Sequence, residues 1–135
     1  MASFLLEIVT PDRQFFYGEA ESLILPIQDG LYGVEPGHEP VVTAVMAGEI
    51  RYKAEGQWHL AAVSTGFAEI MPHRVILLVA AAELPEEIDM RRAEAARERA
   101  EERLRQKKSL QEYHSSKAAL ARAMARLKTV RDSRH

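Results

Sequence analysis

Asp89, Arg92, Arg99 and Arg103 stand three, seven and four residues apart. At 3.6 residues per turn, that spacing stacks one carboxylate and three guanidiniums near one stripe of a helix. Arg122 and Arg126, four apart, share a face of a second helical segment. Brought together, the two stripes make a pocket of guanidinium forks suited to phosphate oxygens. The competing reading is a solvated mixed-charge surface, since Glu87–Arg91 and Glu101–Arg105 are ordinary i, i+4 pairs. That reading fits the second segment less well. No carboxylate lies between Glu112 and Asp132, while Lys117, Arg122, Arg126, Lys128 and Arg131 accumulate there. Spacing alone leaves both open.

Other chemistries have less to stand on. The chain has no G-x-S-x-G, no G-x-x-x-x-G-K-[ST] and no H-E-x-x-H. Its five histidines fall one per segment and never at metal-ligand spacing, so no metal site is expected. His38 lies in a Gly/Pro loop and is expected to bond its loop backbone rather than act in catalysis. There is no cysteine, hence no disulfide, thiolate zinc site or cysteine nucleophile. No catalytic residues are expected. Nucleic acid is a poor partner, because the basic part is interleaved with acids and offers only Tyr113 for stacking.

The elements that must position these residues divide into two bodies. Residues 1–84 carry four cations and eleven carboxylates, a balance of −7; residues 85–135 carry fourteen and nine, a balance of +5. All seven glycines lie at or before Gly66, and the last of six prolines is Pro85. The first body reads as short strands broken by turn chemistry: Phe4–Val9, Glu21–Leu25, Pro40–Met46, Glu49–Lys53, Gln57–Val63, Gly66–Met71 and His73–Val79. Glu55-Gly56 suits a hairpin turn. Such a series makes a sandwich or a barrel. After Pro85, fifty residues pass without Gly or Pro, rich in Ala, Glu, Arg, Leu and Lys. The spacing predicts two antiparallel helices, roughly 86–106 and 110–131, with the break around Gln106 to Ser116. Ser109-Leu110-Gln111-Glu112 fits a capping box, and Ser115-Ser116 offers a later start. Leu120, Met124 and Leu127 form the apolar stripe of the second helix against mostly alanines on the first. Alanine burial returns little beside leucine, at ~0.8 kcal/mol per CH₂, so the pair is marginal by itself and suits a movable element.

No stretch reaches the ~18 apolar residues of a membrane span, and the longest, Val75 to Ala82, is strand-sized. Met1-Ala2-Ser3 leads into Phe4 without a basic region, so no secretory signal is expected and the chain reads most simply as cytoplasmic.

Gly33-Val34-Glu35-Pro36-Gly37-His38-Glu39-Pro40-Val41-Val42-Thr43 carries a specific pattern, G-[VI]-x-P-G-H-x-P-[LV]-[LV]-T. With it, with Ser64-Thr65-Gly66-Phe67, and with the helical pair, the whole chain resembles the epsilon subunits of bacterial F-type ATP synthases. The resemblance implies a ten-stranded β-sandwich followed by an α-helical hairpin. It also implies a non-catalytic place in the central rotor, at the cytoplasmic face of the membrane but not inserted in it. There the sandwich would link the gamma subunit to the c-ring of a proton-translocating enzyme. The helices would brake ATP hydrolysis, folded down or extended toward the catalytic alpha/beta ring. Ile88-Asp89-Met90-Arg91-Arg92-Ala93 matches [IL]-D-x-x-R-A, the motif of the family's ATP-binding subset. By resemblance, Ile88, Asp89 and Ala93 lie near adenine and ribose, and Arg92, Arg99, Arg122 and Arg126 face the phosphates. Glu83, at the start of the helical part, also contributes. One position departs: some ATP-binding relatives have arginine where this chain has Ser115. The loop from Gly30 to Thr43 is expected to be an exposed connection, with Val34, Glu35, Pro36, Gly37 and His38 at the c-ring and gamma on another face. The alternative from a different class is a free-standing sandwich module whose basic helices bind an acidic protein.

Overall fold

The structure is a computed structural model that describes residues 2–106 and 109–134. Ten strands form two five-stranded sheets. One sheet, A, has the order β2-β1-β9-β8-β5, from Gln14–Ala20, Phe4–Val9, Arg74–Val79, Gly66–Ile70 and Val41–Val45. The other, B, has the order β10-β7-β6-β3-β4, from Ala82–Glu83, Gln57–Val63, Gly48–Ala54, Ser22–Ile27 and Gly30–Val34. Pairing is antiparallel except between β1 and β9. A 3₁₀ turn at Pro85–Glu87, helix α1 (Met90–Gln106) and helix α2 (Leu110–Ser133) follow. The expected ten-stranded sandwich with a helical hairpin is the fold observed.

Strict alternation builds the core. Phe4, Leu6 and Ile8 of β1 and Val75, Leu77 and Val79 of β9 point inward, against Leu23, Leu25, Ile50, Tyr52, Ala61 and Val63 of sheet B. The Glu55-Gly56 hairpin forms as expected, with positive φ at both residues, 53° and 76°. That is the I′ geometry a two-residue loop requires. Gly66 is required for a different reason. A Cβ there would strike the Leu78 carbonyl and stand 2.7 Å from Val79 Cα in the neighbouring strand. Gly66→Ala is therefore expected to cost about 3 kcal/mol, read as a lowered denaturant midpoint at unchanged slope.

Three strands, Gln14–Ala20, Gly30–Val34 and Ala82–Glu83, are additional to those the sequence predicts. Gly30–Val34 is strand β4, paired with β3 from Leu23↔Val34 to Ile27↔Gly30, and not part of an exposed connection. Val34 is 1% exposed in the sandwich core, so it cannot present itself to a c-ring. The true loop is the six residues between β4 and β5. Gly37 (φ 82°) donates its N–H to the Pro72 carbonyl at 2.8 Å, and Ser22 Oγ donates to Glu35 at 3.0 Å. His38 bonds its loop as expected. Its Nδ1 donates to the Glu39 carbonyl at 2.8 Å, which leaves Nε2 to accept from the Tyr32 hydroxyl at 3.0 Å.

The helical part also differs in detail. The first helix begins at Met90, not at residue 86, because Asp89 Oδ1 accepts the N–H groups of Arg91 and Arg92 at 3.0 and 3.2 Å. Ile88, extended before this cap, is buried with Ala62 and Val130 beneath α2. Ser109 Oγ caps α2 by accepting from Glu112 N at 3.1 Å. The helix then runs unbroken through Ser115-Ser116, so no later start occurs. The part of the expected break at residues 107 and 108 lies outside the described residues. The seam between the helices keeps only part of the leucine stripe. Leu120 and Leu127 are half-buried and Met124 is 51% exposed, whereas Ala93 and Ala100 of α1 and Ser116 and Ala123 of α2, each pair seven apart, are buried. Small residues at heptad spacing let the two backbones approach closely.

Candidate functional site

Helix α1 packs on α2, and α2 lies on the outer face of sheet B over β6 and β7. Between α1, the 3₁₀ turn and α2 is a cleft of about 380 Å³. Three carboxylates, from Glu83, Glu87 and Asp89, and three guanidiniums, from Arg92, Arg99 and Arg126, line it over a floor that includes Ala93 and Ala96. Six of the expected site residues therefore converge: Glu83, Asp89, Arg92, Ala93, Arg99 and Arg126.

Two do not. Ile88 is buried at the foot of the hairpin and supplies packing there. Arg122 opens on the sandwich side of α2, in a groove with Lys117, Ser64 and Thr65 that Arg126 also lines, and it meets Glu83 there. Of the two arginines, four apart on one face, only Arg126 also lines the cleft. Glu83 is the last residue of β10, so the sandwich, not the helical part, contributes it.

The cations of the cleft are in different states. Arg126 Nε donates to Glu83 Oε1 at 2.5 Å. Arg92 and Arg99 have no ion pair among the described residues. Glu87, which sequence reasoning missed, is held by Arg13 at 2.9 Å and by the Leu84 N–H at 2.7 Å. The Arg13 bond, reinforced by the Leu84 N–H, keeps its carboxyl below the usual range. Asp89 spends one oxygen on the α1 cap and keeps the other available. Arg103, one turn beyond Arg99, faces Ser115 across the helices. The cleft thus offers two unpaired guanidiniums for an anion, and carboxylate acceptors for hydroxyl or amino groups.

A family model described as the β-sandwich domain of the ATP synthase delta/epsilon chain matches residues 3–85. A second, the long α-helix domain of the same chain, matches residues 86–131. The chain belongs to the ATP synthase delta/epsilon family. An ATP synthase epsilon chain of Ruminiclostridium cellulolyticum is 57% identical over 94% of this chain and 95% of its own length. That of Caldicellulosiruptor saccharolyticus is 42% identical over 100% and 98%. Among solved structures, a chain of the Euglena gracilis mitochondrial ATP synthase assembly of OSCP, F1 and c-ring shares the fold. Its TM-score is 0.82 at 22% identity, covering 100% of this chain and 83% of that one.

The hairpin of this family member is clamped to its sandwich by charge. Lys128 on α2 donates to Glu49 of β6 at 3.2 Å and to Asp132 at 2.7 Å; Arg51 of β6 reaches Glu49 at 2.9 Å and Asp132 at 3.4 Å. The Lys128 bond holds the Asp132 carboxyl at about 2, below its ordinary 3.8. A carboxyl depressed by folding adds stability that is full above its unfolded value and is lost as pH falls through the folded one. Glu87 has the same sign. Docking of α2 is therefore expected to weaken as pH falls from about 4 toward about 2. The amide resonances of Ala62 and Val130, which pack together, check it.

Proposed function

We propose that this chain is the central-stalk subunit of a proton-translocating ATP synthase, with its hairpin acting as an ATP-sensing brake on ATP hydrolysis. It catalyses no step itself. The observation that carries the nucleotide reading is the cleft, where both helices and β10 bring Arg92, Arg99, Arg126 and Glu83 around the Asp89 motif. The unpaired Arg92 and Arg99 take the phosphates. The second oxygen of Asp89 accepts from ribose or adenine, against Ala93. Arg126 joins by exchanging part of its bond to Glu83, and Arg122 by turning past it.

A ligand that touches both helices requires the closed hairpin. It stabilises that state by RT ln(1 + [ATP]/Kd), roughly 2.7 kcal/mol at a hundredfold excess over Kd. That decides an equilibrium held by an alanine seam and a few ion pairs. Without ATP the helices can open, and about 45 residues at 1.5 Å each reach on the order of 65–70 Å. Arg122, Arg126, Lys128 and Arg131 then meet acidic surface on the catalytic alpha/beta ring and oppose rotation.

The sandwich supplies the rotor contacts. Glu35, Pro36, Gly37 and His38, the loop that remains outside the core, face the c-ring. The outer face of sheet A receives the gamma subunit, because Val42, Phe67 and Leu78 expose 72%, 62% and 53% of their surface on it. The subunit sits peripherally at the cytoplasmic face of the membrane; among the described residues no helix is long and apolar enough to cross it. Co-purification with gamma and a c-ring tests the placement, and a solitary pool bound to other proteins contradicts it.

A further inference from the structure

Glu83, Ala62 and Glu49 form a single row across β10, β7 and β6: Ala62 is the registered partner of Glu83 on one side and of Glu49 on the other. All three lie on the outer face of sheet B, since Ala82, Ala61 and Ile50, their chain neighbours, point into the core. Two strand spacings separate the carboxylates, roughly 9.5 Å. Helix α2 crosses this row in a matching way. Arg126 and Lys128, two residues apart, leave the helix about 200° around its axis. They reach Glu83 on one flank and Glu49 on the other, at 2.5 and 3.2 Å. Ala125 and Thr129, both buried, lie midway between them on the underside, and Val130 rests on Ala62. Glu49 is the most enclosed member. Its side chain is 4% exposed, it takes both Lys128 and Arg51 on Oε1, and Oε2 is buried without a hydrogen-bond partner.

We propose that the Glu83–Ala62–Glu49 row is a docking cradle that reads residues 125–132 of α2 and sets the closed hairpin without nucleotide, with Glu49 as its principal contact. The cradle rests on the opening hairpin proposed above and adds its ligand-free regulation. The row holds Arg126 and Lys128, two of the cations that an acidic partner surface would take, so docking and inhibition compete for the same side chains. The Glu83–Arg126 pair belongs to both cradle and cleft, and through it a ligand acts on the cradle. Removing Lys128 leaves the enclosed Glu49 carboxylate short of a cation, which is costly because that charge stays desolvated.

The chain has no cysteine, so Ala62→Cys introduces a single thiol beneath α2. In the full chain without nucleotide, Glu49→Gln is expected to raise the labelling rate of that thiol at least tenfold. Lys128→Met is expected to do the same, and the pair together no more than either alone. Ala61→Cys, facing the core from the same strand, reports opening of the sandwich and is expected to label at an unchanged rate. An unchanged Ala62→Cys rate, or equal acceleration at both thiols, overturns the cradle. No nucleotide is present, so a chain that binds no ATP still returns the acceleration if the cradle is real.

Discussion

Replacing Arg92 and Arg99 together by alanine is expected to lower ATP affinity by about a hundredfold or more, with the hairpin still helical. The two guanidiniums are the unpaired cations of the cleft, so their loss costs ligand contacts and leaves no carboxylate stranded. Each hydrogen bond to a charged group is worth about 1.5–3 kcal/mol, and two together exceed the ~2.7 kcal/mol of a hundredfold change. Asp89 needs a more careful variant. Asp89→Ala removes the cap of α1 as well as a ligand acceptor, at about 1 kcal/mol for the cap alone. Asp89→Asn keeps a capping oxygen and removes the charge, so calorimetry on Asn and Ala variants separates the two roles. Combining Asp89→Ala with Arg92→Ala is expected to cost at least about tenfold in affinity.

Val34→Asp is expected to unfold the sandwich, whereas Phe67→Asp leaves it intact and weakens assembly with gamma. Val34 is 1% exposed, and a carboxylate there would be buried without a partner in a core that also loses apolar contact. That mechanism belongs to the severe class, about 4 kcal/mol or more. Phe67 is 62% exposed, pairs with Leu78 and Ala44, and stands in the middle of the apolar face of sheet A. Aromatic anchors in interfaces carry about 2 kcal/mol or more, so a tenfold or greater loss of gamma binding is expected with an unchanged melting temperature.

Apolar runs bounded by turn chemistry made some elements legible in the sequence, and tertiary context decided the others. Phe4–Val9 and Gln57–Val63 have the observed bounds because apolar residues crowd each run, with Thr10-Pro11 ending the first and Glu55-Gly56 preceding the second. Gln14–Ala20 escaped notice because three consecutive aromatics break the period, and Gly30–Val34 because its two glycines read as punctuation. Pairing to β3 keeps that segment extended regardless. In the helices, Leu120 and Leu127 are half-buried and Met124 is exposed, because close approach of the helices buries the small residues Ala93, Ala100, Ser116 and Ala123 most completely. Spacing placed Asp89, Arg92 and Arg99 on one stripe, and the cleft confirms that juxtaposition. It could not separate Arg122 from Arg126, which share a face of α2: of the two, only Arg126 lines the cleft, where it bonds Glu83 of β10. Nor could it find Glu49, one carboxylate in an alternating strand, whose partner Lys128 is 79 residues away.

The most direct test of the ATP-gated hairpin is the labelling rate of Ala62→Cys in the otherwise unaltered chain, followed across an ATP titration. A ligand that binds only the closed form divides the open population by 1 + [ATP]/Kd, so the rate is expected to fall about a hundredfold at a hundredfold excess over Kd. With Arg92 and Arg99 replaced, the same ATP concentration is expected to lower the rate by no more than about twofold. A rate independent of ATP in the chain with both arginines intact would contradict the account.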